Sequence, residues 1–267
     1  MSALRTCFVP GKTESEIREY FERRRGGILK TKDDIKGIER RYAPLGVFEI
    51  KRRKDIKTGI ISKVKKTIEE SNRFHVNLNN ADLYYVSKRA LSKKPKIEKS
   101  DVIEKIIDLP SISIEFLSDI VKKGRITHHE LNKKHFLFLN GNFDCIMMLK
   151  MRDLIDFHPW VYGVDYDRHP PHLEYLAKVN ILDFDDKRYN LGDFLSTEQI
   201  DLEGKKVDEL IYNSEEVLDR LEIFFGGDGI SQDVIYLPYD ECTYVDKKGR
   251  FRHDRLTAPK FSTGIKL

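Results

Sequence analysis

T-E-S-E-I-R-E-Y-F-E-R-R-R-G-G over residues 13–27 and N-S-E-E-V-L-D-R-L-E-I-F-F-G-G over residues 213–227 decide how this chain is read. Glu16, Glu22, Gly26 and Gly27 of the first stretch recur as Glu216, Glu222, Gly226 and Gly227, and Ile17 and Phe21 recur as Val217 and Leu221. Each stretch opens on a capping residue, carries apolar residues at helical spacing and stops at Gly-Gly. Past each stop comes a Tyr-x-Pro strand entry, Tyr42-Ala43-Pro44 and Tyr236-Leu237-Pro238. Cap, helix, glycine stop and strand entry in the same order twice predict an internal repeat, and with it a modular binding protein rather than one catalytic domain. The copies diverge in the last helical turn, Arg23-Arg24-Arg25 against Ile223-Phe224-Phe225. The first suits an anionic or solvated surface, the second burial against protein.

Outward from the repeat, charge is distributed unevenly. Residues 1–100 carry a net +13, residues 101–160 a net −1 and residues 161–267 a net −8. A basic first third predicts an anionic partner, of which nucleic acid is the commonest for a soluble chain. The alternatives are a solvated surface, or basic and acidic ends that pair with each other head to tail. No run approaches the length of a membrane-spanning helix and no signal peptide is evident, so the expected location is cytoplasmic. Cys7, Cys145 and Cys242 are isolated and read as small buried hydrophobes, not as a metal or disulfide framework.

The expected fold class is α+β, a winged helix-turn-helix between two small α/β-hairpin modules. The boundaries read as a basic helix plus antiparallel sheet over 1–100, a winged-helix-like segment over 101–163 and an acidic α+β module over 164–267. In the first, Ala43-Pro44-Leu45-Gly46 opens a strand through Ile50, a basic turn covers 51–59, and Asn79-Asn80 turns into Leu83-Tyr84-Tyr85-Val86. Residues 87–100 read as a basic linker. In the second, Asp101 and Ser113 are candidate helix caps, and Thr127 and Glu130 have capping-box spacing. Phe143, Met147, Met151 and Leu154 share one helical face, and 155–157 with 160–162 read as wing strands. In the third, 164–210 looks irregular, and Ile230 to Leu256 forms a hairpin about Asp246-Lys247-Lys248-Gly249.

The strongest candidate nucleic-acid contacts are Lys51, Arg52, Arg53, Lys54 and Lys57, with Lys63, Lys65 and Lys66. Phe74, His75, Tyr84 and Tyr85 are aromatic neighbours for base stacking, although sheet core is the simpler reading for Phe74 and one tyrosine. In the winged-helix-like segment the candidates are Arg125, His128, Lys133, Lys134, Lys150 and Arg152, with His129, His135 and Asn142 beside them; these types bind phosphate or base edges. That segment is nearly neutral, which favours protein contact as much as DNA. Glu49-Ile50-Lys51 after Asp33-Asp34 has the residue types of a PD-(D/E)xK nuclease, whose carboxylates hold a divalent metal. Asp165 to His172 carries two carboxylates and two imidazoles but matches no standard metal spacing, so it reads as a surface loop. No cofactor is called for.

P-G-K-T-E-S-E-I-R at 10–18, R-R-Y-A-P-L at 40–45, F-H-V-N-L-N-N-A-D-L-Y-Y at 74–85 and the segment 113–162 together resemble accessory regions of archaeal DNA-pumping ATPases of the HerA/FtsK kind. In those, a β-hairpin module precedes a winged helix. The resemblance covers the first and middle parts of the chain; the ATPase core is absent, since no G-x-x-x-x-G-K-S/T occurs. It implies a DNA-associated adaptor with no catalysis of its own. The expected function is therefore non-enzymatic DNA association. The rivals are a protein-assembly module and the metal-dependent nuclease. Expected partners are DNA and a protein such as a DNA-translocating ATPase, with a homodimer open and no membrane.

Overall fold

The structure, a computed structural model, describes residues 4–26, 32–58, 64–88, 95–135, 139–159, 173–179 and 181–262. In chain order these form β1 (Arg5–Phe8), α1 (Glu14–Glu22), β2 (Asp34–Thr58), β3 (Val64–Asn77), β4 (Leu83–Lys88) and β5 (Pro95–Ser100). Then come α2 (Val102–Ile106), α3 (Ser111–Lys123), β6 (Arg125–Thr127), α4 (His128–His135), α5 (Leu139–Met151), β7 (Ile155–Pro159) and β8 (Leu173–Ala177). The last elements are β9 (Thr197–Ile200), β10 (Lys206–Val207), α6 (Ser214–Phe225), β11 (Asp228–Val245) and β12 (Phe251–Leu256). The molecule is α+β. A nine-stranded mixed sheet runs β5-β4-β3-β2-β11-β1-β9, with β10 on β2 and β12 on β11, and a three-stranded sheet runs β6-β8-β7.

The axis of the large sheet is the antiparallel pair β2–β11. Tyr42 faces Pro238, Ala43 faces Leu237 and Pro44 faces Tyr236, so the two Tyr-x-Pro segments pair with each other. An approximate two-fold through the Ala43–Leu237 pair relates β1-α1-β2-β3 to β10-α6-β11-β12. Each short strand crosses to the other unit: Cys7 of β1 pairs with Tyr236, and Val207 of β10 with Tyr42. The closing hydrogen bonds repeat as well, Gly11 N–H to Ala258 O and Ile211 N–H to Leu78 O, at 2.8 and 2.9 Å. The two regions expected as separate modules at the ends of the chain thus share one sheet.

The helices of the pair are built by local rules. Thr13 and Glu16 exchange hydrogen bonds in a capping box before α1, and the Asn213 side chain caps α6. Gly226, at φ 75°, ends α6 in a conformation that disfavours side-chain-bearing residues. Ile17 and Phe21 bury against Cys242, Tyr244, Ile35 and Ile38. Val217, Leu221, Phe224 and Phe225 bury in the largest core with Phe48, Ile50 and Phe74. Strand alternation places Phe48, Ile50, Cys242 and Tyr244 on one face, so both helices cover the same side. Phe225 stacks on Phe74 with centroids 4.4 Å apart, and the Ser118 hydroxyl of α3 donates to the Phe224 carbonyl at 2.5 Å.

Several expectations are corrected. Ala43 to Gly46 lies in the middle of β2, where 42–48 are buried on both faces. The supposed turn from 51 continues as strand to Thr58. Pro95–Ser100, read as linker, is the edge strand β5 on β4, with lysines at Lys96 and Lys99 that suit an edge. Ser113 does not cap: α3 begins at Ser111 behind Pro110, and Ser113 is buried. Among the described side chains of α5 the buried ones are Ile146 and Leu149, whereas Met151 is 82 % exposed; the side chain of Phe143 lies outside the described residues. The segment 164–210 holds β8, β9 and β10 and two 3-10 turns at Lys187–Tyr189 and Leu191–Asp193. Trp160 to Tyr162 and Asp165 to His172 lie outside the described residues.

Candidate nucleic-acid interface

Past Lys51, which faces Asp228, β2 pairs with β3 alone, from Arg52 opposite Glu70 to Thr58 opposite Val64. Among the described residues, β3 meets β4 only at His75 and Val76. Among the described residues, a two-stranded ribbon therefore runs out of the sheet for roughly 20 Å, at about 3.3 Å per residue. Residues 51–70 set Lys51, Arg52, Arg53, Lys54, Lys57, Lys63, Lys65 and Lys66 against Asp55, Glu69 and Glu70, a net +5.

The base of the ribbon is ion-paired within the molecule. Arg52 lies 2.9 Å from Glu70 and 2.6 Å from Asp185, with its guanidinium 3.9 Å above the Phe184 ring. Lys54 reaches Glu70 at 3.3 Å and Asp185 at 3.4 Å. The hydrogen bond to Glu70, with Asp185 beside it, holds the Lys54 ammonium above its ordinary pKa. Lys51 sits 3.6 Å from Glu49, and Arg53 is exposed opposite Glu69. Lys54 and Asp185 are each about half exposed, so water and salt screen that pair and a phosphate can displace it, whereas Arg52 and Glu70 are largely shielded. Farther out, Lys57 is opposite Lys65 in register and Ile56 opposite Lys66. The side chains of Lys57, Lys65 and Lys66, and all of Lys63, lie outside the described residues.

Phe184 and Asp185, which sequence reasoning missed, come from the far side of the chain. The run Asp183-Phe184-Asp185-Asp186 is their one legible signal, an aromatic residue inside the acidic third. Other links of the same kind join Arg41 to Asp208 at 2.9 Å, Arg40 to Asp240 at 3.0 Å and Arg24 to Asp254 at 3.0 Å. Part of the basic surplus of the first third is thus answered by the acidic last third.

The aromatic neighbours are not a stacking platform. Phe74, His75, Tyr84 and Tyr85 are all buried. His75 Nδ1 donates to the Tyr189 carbonyl at 3.1 Å, and burial pushes the imidazole down to about 4. The middle segment gives similarly few open cations. His128 is buried against the Tyr175 hydroxyl, and burial lowers its pKa. Arg125 pairs with Glu174 at 3.5 Å, Lys134 with Asp119 and Lys150 with Asp156. Arg152 holds the Lys105 carbonyl and Asp108, tying the end of α5 to α2. Lys133 and His129 are exposed; the side chains of His135 and Asn142 lie outside the described residues.

Among the described residues, the structure does not bring the nuclease candidates together. Asp34 and Glu49 lie on the same strand, about 50 Å apart at strand rise. Asp33 and Asp34 are paired with Arg252 and Arg25, and among the described residues no group of three or more His, Cys, Asp or Glu could hold a metal. No described helix is long and apolar enough to cross a membrane. No protein-family model, no curated protein and no solved structure matches the chain.

Proposed function

We propose that the protein is a non-enzymatic DNA-associated binding protein whose β2–β3 ribbon lies against the phosphate backbone. The observation that carries this reading is the projecting ribbon with its net +5, in which Lys57, Lys63, Lys65 and Lys66 outnumber the one acid, Asp55, along the outer stretch. A two-stranded ribbon fits the width of the major groove, about 12 Å, and lysines along it displace condensed counterions. The cytoplasm and a DNA-translocating ATPase as protein partner belong to the same proposal.

The middle of the chain fits a winged helix used for protein contact. Its order is α3, β6, α4, α5 and the antiparallel β7–β8, with β8 between β6 and β7, as that fold requires. Thr127 and Glu130 form the capping box that starts α4. What favours protein over DNA is α5: among its described side chains the exposed ones are Asp144, Met148 and Met151. Methionine beside a carboxylate suits an adaptable apolar partner surface and repels phosphate.

The test is duplex binding by fluorescence anisotropy at low salt. Lys57→Glu, Lys65→Glu and Lys66→Glu together are expected to weaken binding by about tenfold or more, with an unchanged circular dichroism spectrum. Absence of binding by the unmodified protein at low salt overturns the proposal.

A further inference from the structure

The two-fold gives β1 and β10 equivalent places, but only one of them is covered. β9 runs antiparallel along the outer edge of β1, from Arg5 opposite Ile200 to Phe8 opposite Thr197, and Val9 N–H continues the ladder to Ser196 O at 2.9 Å. Under that cover Cys7 and Phe8 are fully buried. Among the described residues, no strand lies on the outer edge of β10. Asp208 donates its N–H to Tyr42 O at 2.9 Å, so strand alternation turns the N–H and C=O of Val207 away from β2. Val207, Leu210 and Ile211 stand 37 %, 56 % and 62 % exposed at this edge.

We propose that a second copy of this chain covers β10, the two β10 strands pairing antiparallel about a two-fold at Val207. The sequence Lys205-Lys206-Val207-Asp208-Glu209 is self-complementary in that arrangement. Lys205 faces Glu209 of the second copy, Lys206 faces Asp208, and the two Val207 residues exchange both backbone hydrogen bonds. Asp208 is already held by Arg41 and Tyr239, whereas Lys205 and Glu209 are both exposed, so the outer pair carries the charge selectivity. β9 on β1 is the internal template: a strand beside residues 5–9 coexists with the Gly11–Ala258 closure, whose counterpart beside 205–209 is Ile211–Leu78. Pairing like with like closes the edge that an unpaired strand otherwise leaves open to aggregation, and it is isologous, as a two-fold dimer demands.

Sedimentation velocity over a wide concentration range tests the proposal. The unmodified chain is expected to form a dimer. Val207→Pro removes an N–H that points away from β2, and is expected to give monomer. Lys205→Glu sets like charges opposite each other twice per dimer and is expected to weaken association by about tenfold or more. Lys205→Glu with Glu209→Lys is expected to restore it. Within one chain the two positions are about 13 Å apart, too far for such a rescue to be internal. If Val207→Pro unfolds, the charge swap decides alone. Monomer at every concentration, a dimer indifferent to Lys205→Glu, or failure of the double swap to rescue each overturns the proposal.

Discussion

His75 is buried, neutral and hydrogen-bonded, and it makes a specific demand on pH. Its folded pKa, about 4, lies below the ordinary 6.5 of the unfolded chain. Between those values the unfolded state binds the extra proton, so this contribution is complete above pH 6.5 and is lost as pH falls toward 4. The loss is on the order of 3 kcal/mol when complete. Urea unfolding of the protein and of His75→Gln at pH 7.5 and pH 4.5 checks this: the variant is expected to lose less stability on acidification. A steric demand sits at Gly227, where a Cβ would lie 2.4 Å from the Lys51 carbonyl oxygen. Gly227→Ala is expected to destabilise by about 2 kcal/mol or more, read from the shift in unfolding midpoint. Both residues join chain segments far apart in sequence. Phe74 and the Gly226 stop are legible because alternation and glycine chemistry are local; His75 and Gly227 are not, because what confines them is Tyr189 and Lys51.

At the scale of elements, the Thr127–Glu130 capping box, the Asn79-Asn80 turn and the hairpin at Asp246 to Gly249 follow from neighbouring residues and are legible for that reason. β2 is not. Its twenty-five residues carry Arg40, Arg41 and Lys51 to Lys54, which break the apolar alternation, and the stretch from Lys51 reads as a turn. The acids that allow those cations to sit in a strand, Asp240, Asp208 and Asp185, lie more than a hundred residues away. β5 hides for a related reason: edge lysines look like linker composition. If Asp185 tempers the ribbon, Asp185→Asn is expected to raise duplex affinity a few-fold at low salt, in line with exposed pairs of about 0–1 kcal/mol. Unchanged or weaker binding by that variant places the phosphate-binding residues elsewhere.

At the scale of the molecule, the repeat supplies the architecture. Two strand-helix-strand-strand units meet at Tyr-x-Pro and exchange their first strands, so neither has a complete sheet alone. Thermal unfolding followed separately at the tyrosines and by hydrogen exchange in β2 and β11 is expected to give one coincident transition. Independent melting of the first and last thirds contradicts the shared sheet. The charge split has the same two-part character: at the base of the ribbon the acidic third answers the basic third, and farther along it the lysines outnumber the acids. That outer surplus is what is expected to meet phosphate. The slope of log binding constant against log salt measures it directly. The unmodified protein is expected to show a negative slope. Reversing Lys57, Lys65 and Lys66 is expected to flatten it by about 0.9 for each lysine that had been neutralising a phosphate. A slope indifferent to those three reversals, or no measurable binding at low salt, contradicts the account.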